Sequence, residues 1–593
     1  MPMTVSPDPP GAIRVAAAGE GVKDQATERL KELGSAARHD DPRHWRALAA
    51  CLLAVVATAI DPPILQATSS AVQGALRLQP ETSAQLVGIY YMVQAGTMVA
   101  AGVLGDMYGS RRVLLLGLVA MLAFAGITAA APTVPVLVGG HVGLTLSTAV
   151  VIPLSLASVM RSFGQRVMPV AIALYLTVQL LASLSGPALA QAMFDRFGFG
   201  ATLAPAMIAT VLALVAVRRW LPPSTPGDRM RRVDALTLVL WSVGMLALIY
   251  GTVAFASGWG ENHLLAIILG ALGLLGAAAR LARSTTRVHL PHVPFRILGI
   301  TLFLGAILGL EQSGSLAQLS NFLKGVQGYG DIASGVALAP FALATLVASI
   351  GTGVLLTKRY RGVEIELRSF RRPITFGLVL VGVSALLLGS LQVDSGYLLI
   401  GAALALLGAG ASIANVPRTD LLFRSVRADR VGVAAGLNGS SFLLGEALGN
   451  VSVTVMIAAT SAAAWQQRLV DGGLSPEQAT EAYESAQRAV FLGTSHPFIE
   501  PSYLDIAKLV PGWAAVFTEG YAAAMVVFAF IAALGVIVAW LGLRSATDAQ
   551  PADAEPADFM PSPPSAGAAA GPSISATASR TVELLAVRLG SGT

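Results

Sequence analysis

Three carboxylates stand inside long apolar runs of the chain: Asp61, Glu311 and Glu446. A charge at the centre of a membrane helix costs at least about 2.5–3.5 kcal/mol, so each needs a cation, water or a proton. A carboxylate that takes up a proton where water is scarce and releases it where water returns performs the elementary step of proton coupling. The plainer reading is a protonated or hydrogen-bonded contact between helices, with no part in transport. His141 lies in a fourth apolar run, either titrating near neutrality or serving as a polar contact near the run's outer end. Gln66, Gln94, Gln312 and Asn415 add neutral polar groups. Such residues usually face the interior of a helix bundle and are candidates to line a pathway. The seven histidines show no metal-ligand spacing on a helix, and no Gly-x-x-x-x-Gly-Lys stretch is present. The expectation is therefore no metal site, no ATP hydrolysis and no enzyme.

One connector holds a second cluster. From Gly102 to Arg112 the chain reads Gly-Val-Leu-Gly-Asp-Met-Tyr-Gly-Ser-Arg-Arg, with Gly102, Asp106, Gly109, Arg111 and Arg112 closely spaced between two apolar runs. Gly102 allows two helices to approach closely at the inner face of a membrane. Asp106 is favoured at the N-terminus of a helix from the other half of the protein, where unpaired amides and the helix dipole attract an anion. Arg111 and Arg112 are its expected charge partners, or else cytoplasmic topology signals. The plain alternative is a glycine-rich turn followed by such arginines.

These residues need helices to hold them. Of 593 residues, 54% are hydrophobic and 12% charged, more apolar surface than a water-soluble fold can hide. Apolar runs of roughly twenty residues recur at about 46–70, 83–105, 112–131, 134–160, 167–193, 200–220, 234–256, 263–282, 296–322, 332–357, 373–392, 396–423, 432–460 and 516–542. The fold class expected is an all-α membrane protein with about fourteen transmembrane helices. The net charge of +5 is spread over alternate connectors as short arginine clusters, which puts both termini in the cytoplasm and argues against nucleic acid as a partner. The single cysteine, Cys51, falls within the first run, so no disulfide framework is expected.

The domain reading follows from these runs. Residues 1–44 form a polar cytoplasmic tail without a signal peptide, 45–220 a first six-helix bundle, and 221–295 two linking helices with basic connectors. Residues 296–544 form a second six-helix bundle, including a long external loop at 461–515, and 545–593 form a disordered tail rich in Ala, Pro, Ser and Gly. Within the loop, Ser475-Pro476-Glu477-Gln478 predicts a capping box opening a helix.

The Gly102–Arg112 connector resembles the signature loop between the second and third spans of the major facilitator superfamily, with Met107 where a basic residue usually follows the Asp. Asp61-Pro62-Pro63-Ile64-Leu65-Gln66 is similar to the first-span Asp motif of the fourteen-span drug:proton antiporters, with Gln66 at its Asn position. Gly186-Pro187 resembles the antiporter motif of the fifth span, although Ala190 and Gln191 occupy the later glycine sites. His141 stands nearest the position of that branch's fourth-span Arg. The resemblance covers about 45–544. It implies a major facilitator fold, two six-helix bundles plus two extra central helices, moving by alternating access with the connector as a conformational latch. It also implies a central cavity lined by the first, fourth, ninth and twelfth spans, with Asp61 and Glu311 near the substrate and Glu446 nearer the seam.

The functional expectation is a proton-driven exporter of amphipathic organic molecules, cationic or neutral. It would act as a monomer among the lipids of a bacterial inner membrane, with the proton gradient as its energy source and no other cofactor. Asp61, Glu311 and Glu446 have no evident Lys or Arg in neighbouring runs, which favours cations. The departures in the fourth and fifth runs keep open a lipid or secondary-metabolite exporter, or an uncoupled facilitator. A membrane receptor or scaffold docking partners on the 461–515 loop is the reading from another class, disfavoured by the buried carboxylates.

Overall fold

The computed structural model describes residues 42–67, 80–163, 167–224, 235–256, 261–287, 295–359, 368–426, 430–471, 473, 475–478 and 513–543. The side chains at 60–67, at 80–89 and of Pro187 lie outside the described set, as do residues 1–41 and 544–593, which take in most of the expected 1–44 tail and all of the expected 545–593 tail. All regular structure among the described residues is helical. An apolar segment in lipid must satisfy its amides and carbonyls internally, and the helix does this within one segment. The long helices of the first half are α1 (Pro42–Ala67), α2 (Pro80–Tyr108), α3 (Ser110–Ala129), α4 (Val134–Ser162), α5 (Met168–Phe197) and α6 (Ala204–Trp220). Between the halves stand α7 (Ala235–Ala256) and α8 (Glu261–Arg287). The second half holds α9 (Phe295–Asn321), α10 (Ala339–Arg359), α11 (Arg368–Gly389), α12 (Tyr397–Arg424), α13 (Val431–Asp471) and α14 (Trp513–Gly542).

Among the described residues, 10 helices are long and apolar enough to cross a membrane, and α7 and α8 contain shorter apolar stretches at Leu236–Thr252 and His263–Ala277. Their outward faces carry exposed apolar side chains such as Leu116, Val215, Leu272 and Phe530, the surface a lipid-facing helix presents.

Three helices depart from the expected runs. The run at 332–357 is broken at residues 337–338 into a short helix, Asp331–Val336, and α10, whose Pro340 lies in the first turn, where a missing N–H costs nothing. Helix α11 begins at Arg368 rather than about 373 and takes Pro373 into its body. Its Arg371 lies over the Trp540 ring at 3.9 Å, so this arginine packs on α14 instead of hanging in a connector. Helix α13 continues to Asp471, so the expected external loop is helical in its first part. The capping box forms: the Ser475 N–H donates to Gln478 Oε1 (3.1 Å) and the Gln478 N–H to Ser475 Oγ (3.2 Å).

Within the first half, α1 packs on α4, α5 and α6, and α3 on α4. Within the second, α9 packs on α13, α10 and α11 on α12, and α11 on α14. The halves meet mainly through α2 with α13 and α5 with α10, with smaller contacts of α4 on α13 and of α5 on α12. Helix α8 rests on α7, and α7 rests on both α2 and α13. Trp241 of α7 donates its indole N–H to Ser440 Oγ of α13 (3.2 Å), and Ser440 donates to the Ala95 carbonyl of α2 (2.5 Å). The linking helices thus lie against the seam between the halves.

Candidate functional site

The α2–α13 seam is built on glycine and one carboxylate. A Cβ added at Gly102 would fall on the Gly432 carbonyl, and one at Gly436 on the Met98 carbonyl, so the two helices meet backbone to backbone. One turn after Gly102, Asp106 reaches the first turn of α13 with its side chain fully buried. Its carboxylate accepts the Gly432 N–H (2.9 Å) and the Val433 N–H (3.0 Å), two of the amides that a helix start leaves unpaired. Gly109 ends the segment at φ 93, in the left-handed region that glycine occupies without penalty, and opens α3.

The charge partner of Asp106 differs from the expected one. Arg161, at the C-terminal end of α4, forms the ion pair and also donates to Ser110 Oγ (2.7 Å). Arg111 instead donates to the Arg218 carbonyl (2.6 Å), and its backbone N–H to Ser224 Oγ (3.1 Å), while Arg112 is exposed. The helix turn explains this: Arg111 and Arg112 lie past the Gly109 break, on α3, and Arg111 faces the end of α6 rather than α13.

The α5–α10 seam repeats the close approach without the carboxylate. A Cβ on Gly353 of α10 would meet the Pro169 carbonyl and Val170 of α5, and Ser349 donates to the Ala173 carbonyl (3.1 Å). The residue one turn after Gly353 is Thr357, whose hydroxyl has no partner among the described residues. At the second position of α5 stands Pro169, which has no N–H, where α13 offers Gly432. Only one of the two seams therefore has an electrostatic lock, and both seams close on the arginine-rich face of the protein.

Deeper in the second half, Glu311 is 0% exposed and neither carboxylate oxygen has a hydrogen-bond partner among the described residues. Its neighbours one turn away on α9, Ile307 and Ser315, meet Gly535 and Met525 of α14. Glu311 thus lies on the α14 side of α9, sealed inside the second half, and not on an open central cavity as the family resemblance implied. Glu446 is only partly buried. It sits on α13 beside Gly309 of α9 and within electrostatic reach of the Tyr91 phenol of α2, whose hydroxyl hydrogen-bonds Ser313.

Against the expectation of no Lys or Arg in neighbouring runs, Arg418 of α12 is buried against α9 and α13. Arg418 is 1% exposed in the middle of α12, α13 and α9. It donates to Asn415 Oδ1 through Nε (3.0 Å) and Nη2 (2.7 Å), to the Thr301 carbonyl (3.0 Å) and to Asn438 Oδ1 (2.8 Å). Gly305 leaves the room that its guanidinium fills. All these acceptors are neutral, and each absorbs part of the cost of a buried cation. Asn415, a candidate to line a pathway, is partly buried and is bound into this cage. Asp420, two residues on, is buried and paired with Arg424 (2.9 Å).

The other candidates are scattered. Gln94 is buried on α2 and donates to Thr148 Oγ1 of α4 (3.1 Å), its Oε1 having no partner among the described residues. His141 is buried about two turns into α4, at the arginine-poor end, and its carbonyl accepts Thr145 Oγ1 (2.9 Å). Gln312 is partly buried on α9, and Gly186 is buried on α5. Helix α1 runs through Asp61 to Ala67, and the side chains of Asp61 and Gln66 lie outside the described residues, as does that of Pro187. Among the described residues no group of His, Cys, Asp and Glu is arranged to hold a metal ion.

Comparison with known proteins places these features. The profile of the Major Facilitator Superfamily matches residues 46–450. The chain is 27% identical over 511 residues to a multidrug efflux pump of Mycolicibacterium smegmatis, covering 83% of this chain and 96% of that protein. It is 24% identical over 452 residues to a tetracenomycin C resistance and export protein of Streptomyces glaucescens, covering 75% and 82%. A methyl viologen resistance protein of Salmonella typhimurium is 23% identical over 478 residues, covering 79% and 92%. Among solved structures, a peptide transporter of the POT family superposes with a TM-score of 0.54 at 14% identity, covering 86% of this chain and 99% of that one. A proton:xylose symporter superposes with the same TM-score at 10% identity, covering 86% and 97%.

Proposed function

The chain belongs to the major facilitator superfamily, and from that premise we propose that it is a proton-coupled exporter of amphipathic organic molecules, working by alternating access. The fourteen-span drug:proton antiporter branch fits the six-plus-two-plus-six order of long helices. The relatives named for multidrug efflux, antibiotic export and methyl viologen resistance support a drug-like cargo. The arginine-rich face is assigned to the cytoplasm of a bacterial inner membrane, and the working unit to a monomer with the proton gradient as its energy source.

Glu311 is the observation that carries the coupling. A sealed carboxylate with no cation and no donor is tolerated in its protonated form, and ionising it requires water that the present arrangement excludes. A conformation that wets α9 would release the proton, and one that seals it would demand its return. Asp106 supplies the switch: the contacts it makes to α13 exist only while the α2–α13 seam is closed. A second reading, export of a secondary metabolite made by the same cell, is favoured by the tetracenomycin exporter among the relatives.

The test is proton movement in proteoliposomes under an imposed pH gradient, with lipophilic cations and neutral amphiphiles added in turn. Gradient collapse that needs both a compound and Glu311 supports the reading. Protein that is folded, transports a compound and moves no protons would make it an uncoupled facilitator.

A further inference from the structure

Glu311 and Glu446 are the two described carboxylates deep in the second half, and their settings differ in kind. Glu311 is sealed, whereas Glu446 is partly open. Along α13, the residues one turn either side of Glu446 are Phe442 and Asn450, both also partly buried, while Leu443 and Ala447 beside them are packed away. This strip of α13 faces the place where α2 from the first half meets α9 from the second. Tyr91 reaches across that junction to hydrogen-bond Ser313, and the Glu446 carboxylate lies within electrostatic reach of the same phenol. Tyr90 packs edge-on against Tyr91, with ring centroids 5.4 Å apart and planes at 78°. Tyr90 and Tyr91 are both partly buried. No ion pair reaches Glu446 among the described residues; the buried guanidinium of Arg418 is committed to Asn415, Thr301 and Asn438.

We infer that Glu446, Tyr90, Tyr91 and Ser313 form a subsite for the positively charged group of an amphipathic organic cation. The inference rests on the transporter reading and names the chemistry of its cargo. A partly desolvated carboxylate without a cation partner supplies the attraction, and the aromatic pair supplies a polarisable wall for a large, weakly hydrated cation. A small hydrated ion would lose more hydration than one carboxylate returns, so the site favours delocalised or quaternary cations. Glu311 cannot serve this purpose, because nothing the size of an organic cation reaches a fully sealed side chain. The two carboxylates therefore divide the work, Glu446 meeting the cargo and Glu311 the proton. Because α2 contributes Tyr90 and Tyr91 while α9 and α13 contribute Ser313 and Glu446, opening of the seam takes the subsite apart. The same movement that changes access would lower affinity for the cation.

The test is equilibrium binding to the purified full chain of two probes of similar bulk, tetraphenylphosphonium and the uncharged triphenylphosphine oxide. Glu446→Gln should weaken tetraphenylphosphonium binding by about tenfold or more and leave the neutral probe within about twofold. Glu446→Asp should recover most of the loss. Tyr91→Phe should retain cation binding better than Tyr91→Leu, since the aromatic ring supplies the attraction for a large cation. Unchanged cation affinity in Glu446→Gln, or equal loss of both probes, would overturn the subsite. Wild-type transport in proteoliposomes judges the underlying reading separately. Cation transport with Glu446→Gln binding as wild type sinks the subsite alone, and a wild type that moves and binds neither probe sinks both.

Discussion

The carboxylate of Asp106 accepts the backbone N–H of Gly432, 326 positions further along the chain, so one side chain of the first half caps a helix of the second. The acceptor can be removed without altering the α13 backbone, and the glycines that bring the two together can be filled. Several consequences are measurable.

Asp106→Asn keeps one oxygen for an α13 amide and loses the charge that both amides and Arg161 address. Hydrogen bonds to a charged group contribute about 1.5–3 kcal/mol, and losing half of this shifts the closed seam by roughly three- to tenfold. Spin labels at the exposed Arg219→Cys and Arg372→Cys positions should show a longer distance population, with the buried Cys51 left unlabelled. Cargo affinity should change by less than about threefold. A collapse of affinity with an unaltered distance distribution would remove Asp106 from the role of latch.

Gly102→Leu places a side chain on the Gly432 carbonyl and prevents α2 and α13 from meeting. Transport should be lost in protein that still inserts and purifies as a single species, and the spin-label distances should remain in the open range. A wild-type transport rate would show that closure does not pass through this contact.

Glu311→Gln replaces a sealed carboxylic acid by a near-isosteric neutral group. Thermal stability in detergent should be equal to or above wild type, because no partner is lost. Proton-coupled transport should fall by at least about tenfold, while binding of a cationic probe persists. Full coupling in the variant would move the proton site elsewhere.

Arg418→Lys cannot span Asn415, Thr301 and Asn438 together, since an ammonium has no planar fork. At least one buried acceptor is then unpaired, at about 1–3 kcal/mol, which thermal unfolding should register as a drop of several degrees. An unchanged midpoint would show that water replaces the fork without cost.

Much of this architecture is legible one residue at a time. Apolar runs of membrane length become helices because lipid offers the backbone no other partner, and their order follows from the chain without knowledge of packing. The Ser475–Gln478 capping box and the break at Gly109 are equally local, each decided within one turn. The destination of Asp106, a helix N-terminus, is what the resemblance of its connector to the signature loop implies, and the structure bears it out. Tertiary structure alone decides the partners. Arg111 and Arg161 are indistinguishable in sequence as basic residues after an apolar run, yet the Gly109 turn carries Arg111 toward α6 while α4 delivers Arg161 to the carboxylate. Arg418 sits inside an apolar run with its neutral cage drawn from α9, α12 and α13, so only the assembled helices reveal how the charge is held. Glu311 lies in a half of α9 where Gln312, Ser313, Ser315 and Gln318 spread polar groups around the helix, so no single polar stripe fixes its rotation. Packing against α14 turns Glu311 into the second half.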